Sequence, residues 1–417
     1  MSKINLGILG GGQLGSMLAT AAKKLNVQTT IYCDDENAPA QKFADNFTTN
    51  AFQLERQQSI WENKVDYNLS ESGVHPGTFN TLFEPEFIEK IANTELTYGF
   101  TEGSPDLRKS IASIYPGASI ENVQAFNGSA EANMVSIMTL IEPGDEVVYM
   151  VPNYLQIYGF ARGLGANVIP FHLYEHLNWK PDLEELRSKV TKKTKLICIC
   201  NPNNPTGAFT EKDKIDQLAE GLKKFPHVAI LSDEIYSRQI FDEKKMPTFF
   251  NYPHLYDRLI VLDGWSKAYS MTGWRLGWSV WPENLVEHVI KFCVNNHSCV
   301  NAAIQYGAIA ALDGPDDSIN FMMEKFTKRR KLIFDGLNSI KGIDCSLPGG
   351  AFYAFPNVIG TGMNGKEFAK KCLHEAGVAI VPGTSFGKKA IDYVRFSFAA
   401  SQDNISKALE NIKKMLS

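Results

Sequence analysis

Lys267 lies in a run of residues whose types could support chemistry on a carbonyl group. The run, residues 264–277, reads Gly-Trp-Ser-Lys-Ala-Tyr-Ser-Met-Thr-Gly-Trp-Arg-Leu-Gly, so the lysine has aromatic and apolar neighbours. Burial in such a setting lowers the pKa of a lysine and frees its amine to attack a carbonyl as a Schiff-base nucleophile. The side chains of Ser266 and Arg275 can bind an anion such as a phosphate. The run therefore suggests a cofactor that carries both an aldehyde and a phosphate.

The elements that must position this lysine alternate along the chain. Apolar, strand-like runs are separated by helical stretches, and they fall at 146–150, 166–170, 195–200, 228–232 and 259–262. This alternation predicts an α/β fold with a mainly parallel sheet covered by helices on both faces. Ligands of such sheets bind at the carboxyl ends of the strands, and Lys267 follows the last of these runs. Beyond about 290 we expect a long helix that leads into a smaller C-terminal α/β domain.

The run around Lys267 resembles the Schiff-base lysine motif of the class I/II aminotransferases, enzymes of pyridoxal 5′-phosphate (PLP) fold-type I. It matches every defined position of that motif. Residues 201–207, Asn-Pro-Asn-Asn-Pro-Thr-Gly, match a second specific element, and the resemblance extends over about 54–417. It implies PLP as the cofactor, with no metal, and a large domain plus a smaller C-terminal one.

The resemblance assigns roles to residues around the cofactor ring. Asp233 would keep the ring nitrogen protonated, which PLP needs to act as an electron sink. Tyr236 and Asn204 would hydrogen-bond the phenolic oxygen, and Asn204 would also lie near the substrate. Tyr154 would stack on the ring. Lys267, Asp233 and Tyr236 are therefore the predicted catalytic residues.

Residues 127–132, Asn-Gly-Ser-Ala-Glu-Ala, resemble the phosphate loop of the same family. Small residues at a helix N-terminus expose backbone N–H groups that can hold a phosphate. The match places Gly128, Ser129 and Ala130 at the phosphate, together with Ser266 and Arg275. Many members carry Thr or Lys where this chain has Ala130, so a side-chain contact of about 1.5–3 kcal/mol is missing here.

Substrate and subunit contacts follow from the same resemblance. Arg395, in a strand that reads Tyr-Val-Arg-Phe-Ser-Phe, would form a bidentate pair with the substrate α-carboxylate. The backbone of Gly73 would lie near that carboxylate. Tyr98 would reach the cofactor phosphate of a neighbouring subunit, which implies a homodimer with a shared active site.

The first fifty residues have a different character. Strand, glycine-rich turn, helix and strand follow one another over residues 4–33, with a GxGxxG spacing at 10–15 and acidic residues at 34–35. Alone, this is the fingerprint of a dinucleotide site. The segment more closely resembles the N-terminus of the ATP-grasp enzyme N5-carboxyaminoimidazole ribonucleotide synthase, but no ATP-grasp domain follows. We interpret residues 1–50 as a partial, non-catalytic Rossmann-like βαβ segment.

The rest of the chain is expected to divide into three parts. Residues 51–100 would form the N-terminal arm and part of the small domain, 101–324 the cofactor-binding domain, and 325–417 the small domain.

Composition limits the partners and the compartment. A net charge of −4 argues against a general nucleic-acid or membrane-surface protein. No apolar run is long enough to span a membrane. Seven cysteines without metal-type spacing fit a reducing cytoplasm better than secretion.

The resemblance predicts an aminotransferase that moves an amino group from an amino acid to a 2-oxo acid through a Lys267 aldimine. A PLP-dependent lyase that performs β-elimination would keep all the same residues and remains an alternative. A fold-type I regulatory protein and a purine-pathway ligase are more remote alternatives. The amino donor stays open, because the sequence places no second arginine on a distal carboxylate.

Overall fold

The computed structural model of the protein describes residues 5–9, 13–33, 38–48, 54, 58, 60–61, 64–74 and 77–417. The glycine-rich turn at 10–12, the acidic pair at 34–35 and residues 55–57 and 59 of the predicted arm at 54–61 lie outside the described residues. No described helix has the length and apolar character that crossing a membrane requires.

The N-terminal segment has a small core of its own. Strands β1 (Asn5–Leu9), β2 (Gln28–Tyr32) and β3 (Asn46–Thr48) form a parallel sheet in the order β1-β2-β3, with helix α1 (Gln13–Lys24) after the first strand. Ile8, Ala19, Ile31 and Ala40 form the core. The predicted strand, helix and strand are therefore present.

A seven-stranded sheet forms the centre of the chain. Its members are β5 (Val123–Phe126), β6 (Glu146–Val151), β7 (Asn167–His172), β8 (Thr194–Cys200), β9 (Ala229–Asp233), β10 (Leu259–Gly264) and β11 (Gly277–Val280). The order is β5-β11-β10-β9-β8-β6-β7, and β11 is antiparallel to both of its neighbours while the other pairs are parallel. Buried apolar clusters cover both faces, so the predicted mainly parallel, helix-covered sheet is confirmed.

Helices precede, cover and follow this sheet. In chain order they are α2 (Phe79–Leu82), α3 (Pro85–Ala92), α4 (Pro105–Ala112), α5 (Ser129–Leu140), α6 (Gln156–Gly163), α7 (Leu183–Lys189), α8 (Lys212–Leu222), α9 (Trp265–Ala268), α10 (Glu283–Asn296), α11 (Ala302–Asp313) and α12 (Asp317–Asn338).

The long helix expected beyond about 290 begins at Asp317, later than the first helices of this part of the chain. Two helices, α10 and α11, come first, and the break between them contains Ser298 with φ +63°. Asn301 then accepts hydrogen bonds from the backbone N–H groups of Ala303 and Ile304, which starts the new helix. The long helix is α12, and residue 325 lies inside it.

The C-terminal part forms a second core with a stretch from early in the chain. Strands β12 (Tyr353–Ala354), β14 (Val381–Pro382) and β15 (Val394–Ser397) form one sheet, and β13 (Val378–Ala379) pairs with β4 (Tyr67–Asn68). Helices α13 (Gly365–Glu375) and α14 (Gln402–Met415) pack over them. Pairing of β4 with β13 holds the next residues, 69–73, beside the carboxyl edge of the large sheet.

Candidate active site

One cavity, of about 300 Å³, lies at the carboxyl edge of the seven-stranded sheet. It is lined by residues from the ends of β6, β8, β9 and β10, from the start of α5, and from the loop after β4. Ten of the predicted site residues line it: Gly73, Ser129, Ala130, Tyr154, Asn204, Asp233, Tyr236, Ser266, Lys267 and Arg275. Residues up to about 200 positions apart in sequence thus meet at one place, as parallel strands require.

Lys267 is held by the packing of its neighbours. It lies in the short helix α9 directly after β10, and Trp265 anchors that helix by edge-on contact with Trp278, with 4.5 Å between ring centroids. The Lys267 Nζ donates to the backbone oxygen of Ser72 across the cavity. Burial lowers the pKa of Lys267 to about 8, and the positive charge of Arg395 acts in the same direction. A substantial fraction of the amine is therefore neutral near pH 7.5, the form that attacks a carbonyl.

Asp233 is the last residue of β9, and its strand lies next to the one that leads to Lys267. Cα pairing of Leu262 with Asp233 places the two strand ends side by side. Burial raises the pKa of Asp233 to about 6, although the backbone N–H of Ile235 and the charge of Lys267 lower it. The carboxylate is thus ionised near neutral pH and directed at a half-buried cavity, where it would stabilise a bound cation.

The start of α5 has the form of an anion cradle. Gly128 has φ +87° and ψ +160°, a conformation that is essentially restricted to glycine. A Cβ built there would lie 2.5 Å from the Arg275 Nη2, so the missing side chain lets the guanidinium approach the helix N-terminus. Ser129, Ala130 and Ser266 line the cavity at the same end. Exposed N–H groups, the helix dipole and a guanidinium together favour a phosphate.

Arg395 lies behind the cavity rather than on its wall. It is fully buried, and its guanidinium donates to the Asn204 Oδ1 at 2.8 Å and to the Ser70 backbone oxygen at 2.7 Å. It also stacks over the ring of Tyr353 at 4.4 Å. These contacts fix the plane of the guanidinium next to Asn204, which does line the cavity.

Tyr236 and Tyr154 occupy the cavity wall in different ways. The hydroxyl groups of Tyr236 and Tyr353 form a hydrogen bond of 2.9 Å, and burial raises the pKa of Tyr236. Tyr154 follows β6, and its backbone oxygen accepts a bond from the Tyr149 hydroxyl at 2.5 Å. The partner of Tyr236 in this structure is therefore another phenol.

Tyr98 is not part of this cavity. Its side chain is 84% exposed on the surface of its own chain. Its predicted contact with a neighbouring subunit stays a prediction.

Sequence reasoning missed several residues of the cavity, among them Glu71, Ser72, Asn133 and Thr272. It also missed Tyr353, which contacts both Tyr236 and Arg395. The only signal for Glu71 in the sequence was its position as a charged residue between two serines in a loop.

Comparison with known proteins identifies the family of the chain. The family model for aminotransferase class I and II matches residues 74–412. The chain therefore belongs to the class I and II aminotransferases, a family of PLP-dependent transferases. A second model, for the ribonucleotide synthetase preATP-grasp domain, matches residues 1–69, which confirms the other resemblance.

Individual relatives extend over most of the chain. A probable aspartate aminotransferase of Methanocaldococcus jannaschii is 36% identical over 371 residues, covering 84% of this chain and 95% of the relative. Aromatic-amino-acid aminotransferase 2 of Thermococcus litoralis is 30% identical over 82% of this chain and 90% of its own. The crystal structure of an aromatic aminotransferase from Pyrococcus horikoshii superposes with a TM-score of 0.80 at 29% identity, covering 87% of this chain and 98% of that one. This protein is accordingly an aminotransferase.

Proposed function

We propose that this aminotransferase binds PLP in the cavity described above, with Lys267 as the residue that holds the cofactor. The observation that carries the proposal is the placement of a half-buried lysine of lowered pKa between an anion cradle and a carboxylate. The donor groups fit PLP: the cradle at Gly128 and Arg275 suits its phosphate, and Asp233 suits its ring nitrogen. The cavity volume of about 300 Å³ is at the lower end of the range for small-molecule sites.

Each residue of the cavity would have its own role in the reaction. When bound, PLP supplies a ring that withdraws electrons from the Cα of the amino donor. Asp233 would hold a proton at the ring nitrogen, and Lys267 would take the Cα proton once the donor amine has displaced it. Asn204 and Tyr236 would donate to the phenolic oxygen, and Tyr154 would cover one face of the ring.

Arg395 would orient the donor. Its two terminal nitrogens are already aligned by Asn204 and Ser70, which reduces the entropy lost when they pair with an α-carboxylate. The backbone of Gly73 lines the same cavity. Fixing the carboxylate in this way sets which bond of the donor Cα faces Lys267.

The test is a donor panel with pyruvate or 2-oxoglutarate as the acceptor. We expect Lys267-dependent formation of a new amino acid, and no turnover by the Lys267→Ala protein. Release of pyruvate and ammonia without any acceptor would instead support the lyase alternative. Full activity of the Lys267→Ala protein would contradict the proposal.

A homodimer with a shared active site is the second part of the proposal. Large apolar side chains cluster on the surface before α4: Leu96 is 98% exposed, Tyr98 84% and Phe100 57%. Exposed apolar groups of this kind mark interfaces. We expect a dimer in analytical ultracentrifugation, and Leu96→Asp should shift it towards the monomer and weaken PLP binding. A monomeric wild-type protein with full activity would refute the shared site.

The proposed compartment is the cytoplasm. Seven cysteines are free thiols, which is typical of a reducing environment. Amino acids and 2-oxo acids are the substrates of the relatives' class, and the proposal includes no nucleic-acid or membrane partner. Residues 1–50 are proposed to play no part in the chemistry.

A further inference from the structure

One of the charged residues that line the cavity has no role in the proposed function. Within the described part of the chain, the charged residues of the lining are Lys267, Arg275, Asp233 and Glu71. The proposed function uses the first three for the cofactor. Glu71 is half-buried and remains available to whatever else enters the cavity.

Glu71 is held at a defined place between two backbone groups that contact Arg395 and Lys267. The backbone oxygen on one side of it, from Ser70, accepts from Arg395 at 2.7 Å. The backbone oxygen on the other side, from Ser72, accepts from Lys267. Residue 71 is therefore fixed on one side by the residue proposed to bind the α-carboxylate and on the other by the residue proposed to hold the cofactor.

The side chain of Glu71 turns towards Gly73 and Thr272. Its Oε1 accepts from the Gly73 N–H at 2.7 Å. A Cβ built on Gly73 would lie 2.9 Å from this oxygen and 3.7 Å from the Thr272 Cγ2. The absence of a side chain at residue 73 thus leaves room for the carboxylate at the wall of the cavity, and its charge is felt at Lys267.

We infer that Glu71 is a specificity-determining residue that favours amino donors with a positively charged side chain over donors with a second carboxylate. This inference rests on the proposed function. An acidic donor would bring a like charge into a half-buried site, where repulsion is costly and screening is weak. Of the two cationic residues in the described lining, Arg275 would pair with the cofactor phosphate, and Lys267 acts as a base only in its neutral form, so neither offsets that charge. A basic donor would instead pair with Glu71.

This preference separates the chain from relatives such as the M. jannaschii protein, whose name assigns it aspartate. Two other roles are possible for the carboxylate: a structural contact to Gly73, or attraction of the α-ammonium group that every donor carries. Glu71→Gln distinguishes them. Glutamine keeps an oxygen that can accept from the Gly73 N–H but removes the charge.

The experiment compares three donors of similar length, lysine, norleucine and glutamate, in the half-reaction with PLP-loaded protein and no acceptor. We expect wild type to react best with lysine. In Glu71→Gln the ratio of the second-order half-reaction rate constant for lysine to that for glutamate should fall by about tenfold or more, the effect of one charge interaction of about 1.4 kcal/mol. Norleucine should change little.

A matched control is Glu121→Gln. Glu121 is exposed and precedes β5, at the edge of the sheet opposite the cavity. The Glu121→Gln substitution removes the same charge from the molecule, and the ratio of the rate constant for lysine to that for glutamate should stay at the wild-type value. Glu71→Ala removes the charge without an amide and serves if the glutamine variant does not fold.

Two results would overturn the inference: an unchanged ratio in both Glu71 variants, or an equal loss with all three donors. Calorimetric titration of PLP-loaded Lys267→Ala protein, with and without Glu71→Gln, compares donor affinities without turnover. If wild type reacts with no donor at all, the proposed function fails, while the calorimetric comparison still decides whether Glu71 selects by charge.

Discussion

Replacing Gly128 with alanine should weaken binding of the cofactor more than it weakens the fold. Gly128 is the residue before α5, with φ +87° and ψ +160°. An added Cβ would lie 2.5 Å from the Nη2 and 3.1 Å from the Cζ of Arg275. The guanidinium belongs to a flexible side chain, so it would move and leave the phosphate cradle.

The size of the effect follows from two contributions. Holding a non-glycine residue in this backbone region costs about 1–3 kcal/mol. Losing a hydrogen bond from a charged donor to the phosphate costs about 1.5–3 kcal/mol. The strain lowers the stability of the fold with and without the cofactor, and a shift of the loop relieves part of it. The lost phosphate contact sets the change in affinity, so we expect the dissociation constant of PLP to rise by about ten- to a hundredfold, at about 1.4 kcal/mol for each factor of ten.

The assay is titration of the apoprotein with PLP, followed by absorbance, together with thermal unfolding of the apoprotein. Gly144→Ala is the control: Gly144 has φ +92°, and a Cβ there would meet no atom within 4 Å. It should reduce stability by about 1 kcal/mol because of the backbone alone and leave the PLP affinity unchanged. A folded Gly128→Ala protein with wild-type affinity, or an equal loss of affinity in Gly144→Ala, would refute the reasoning.

Three further predictions concern stability, the donor clamp and the N-terminal segment. Burial raises the pKa of Glu234 from 4.5 to about 8, so the wild-type fold loses stability as the pH rises through that range. Glu234→Gln can still accept hydrogen bonds from Ser232 and Thr248, and urea unfolding of the apoprotein should show it more stable relative to wild type at pH 9 than at pH 6. The same difference in unfolding free energy at both pH values would contradict this. In Arg395→Lys the single ammonium group cannot keep the contacts with both Asn204 and Ser70, so kcat/KM for the donor should fall by about tenfold or more. Wild-type kinetics in this variant would contradict the proposed role of Arg395. Removal of residues 1–50 should leave transaminase activity intact, and complete loss would show that the segment is needed.

The residues proposed to act on the cofactor have a signal in the sequence because each lies at the end of its own strand or just after it. Asp233 ends β9, Asn204 follows β8 and Lys267 follows β10. An apolar run that ends in a polar residue is a local signal, and parallel pairing brings all such ends to one edge. The sheet, its helical cover and these residues could therefore be predicted without coordinates.

Helix boundaries after residue 280 were harder to predict. The chain from 283 to 313 is helical on both sides of a break that depends on Ser298 and on the cap at Asn301. A serine with positive φ has no distinct pattern in the sequence, because that conformation is imposed by the packing around it.

By itself, the sequence determined the sheet, the lysine, its carboxylate neighbour and the glycine that opens the cradle, since each depends on a few consecutive residues. Only the tertiary structure decided what surrounds them. Arg395 meets Ser70 across 325 residues of sequence, and Lys267 meets Ser72 across 195. Those two contacts place Glu71 inside the cavity. Pairing of β4 with β13 brings together stretches that are about 310 residues apart in sequence, and such long-range pairing leaves no periodic trace in either segment.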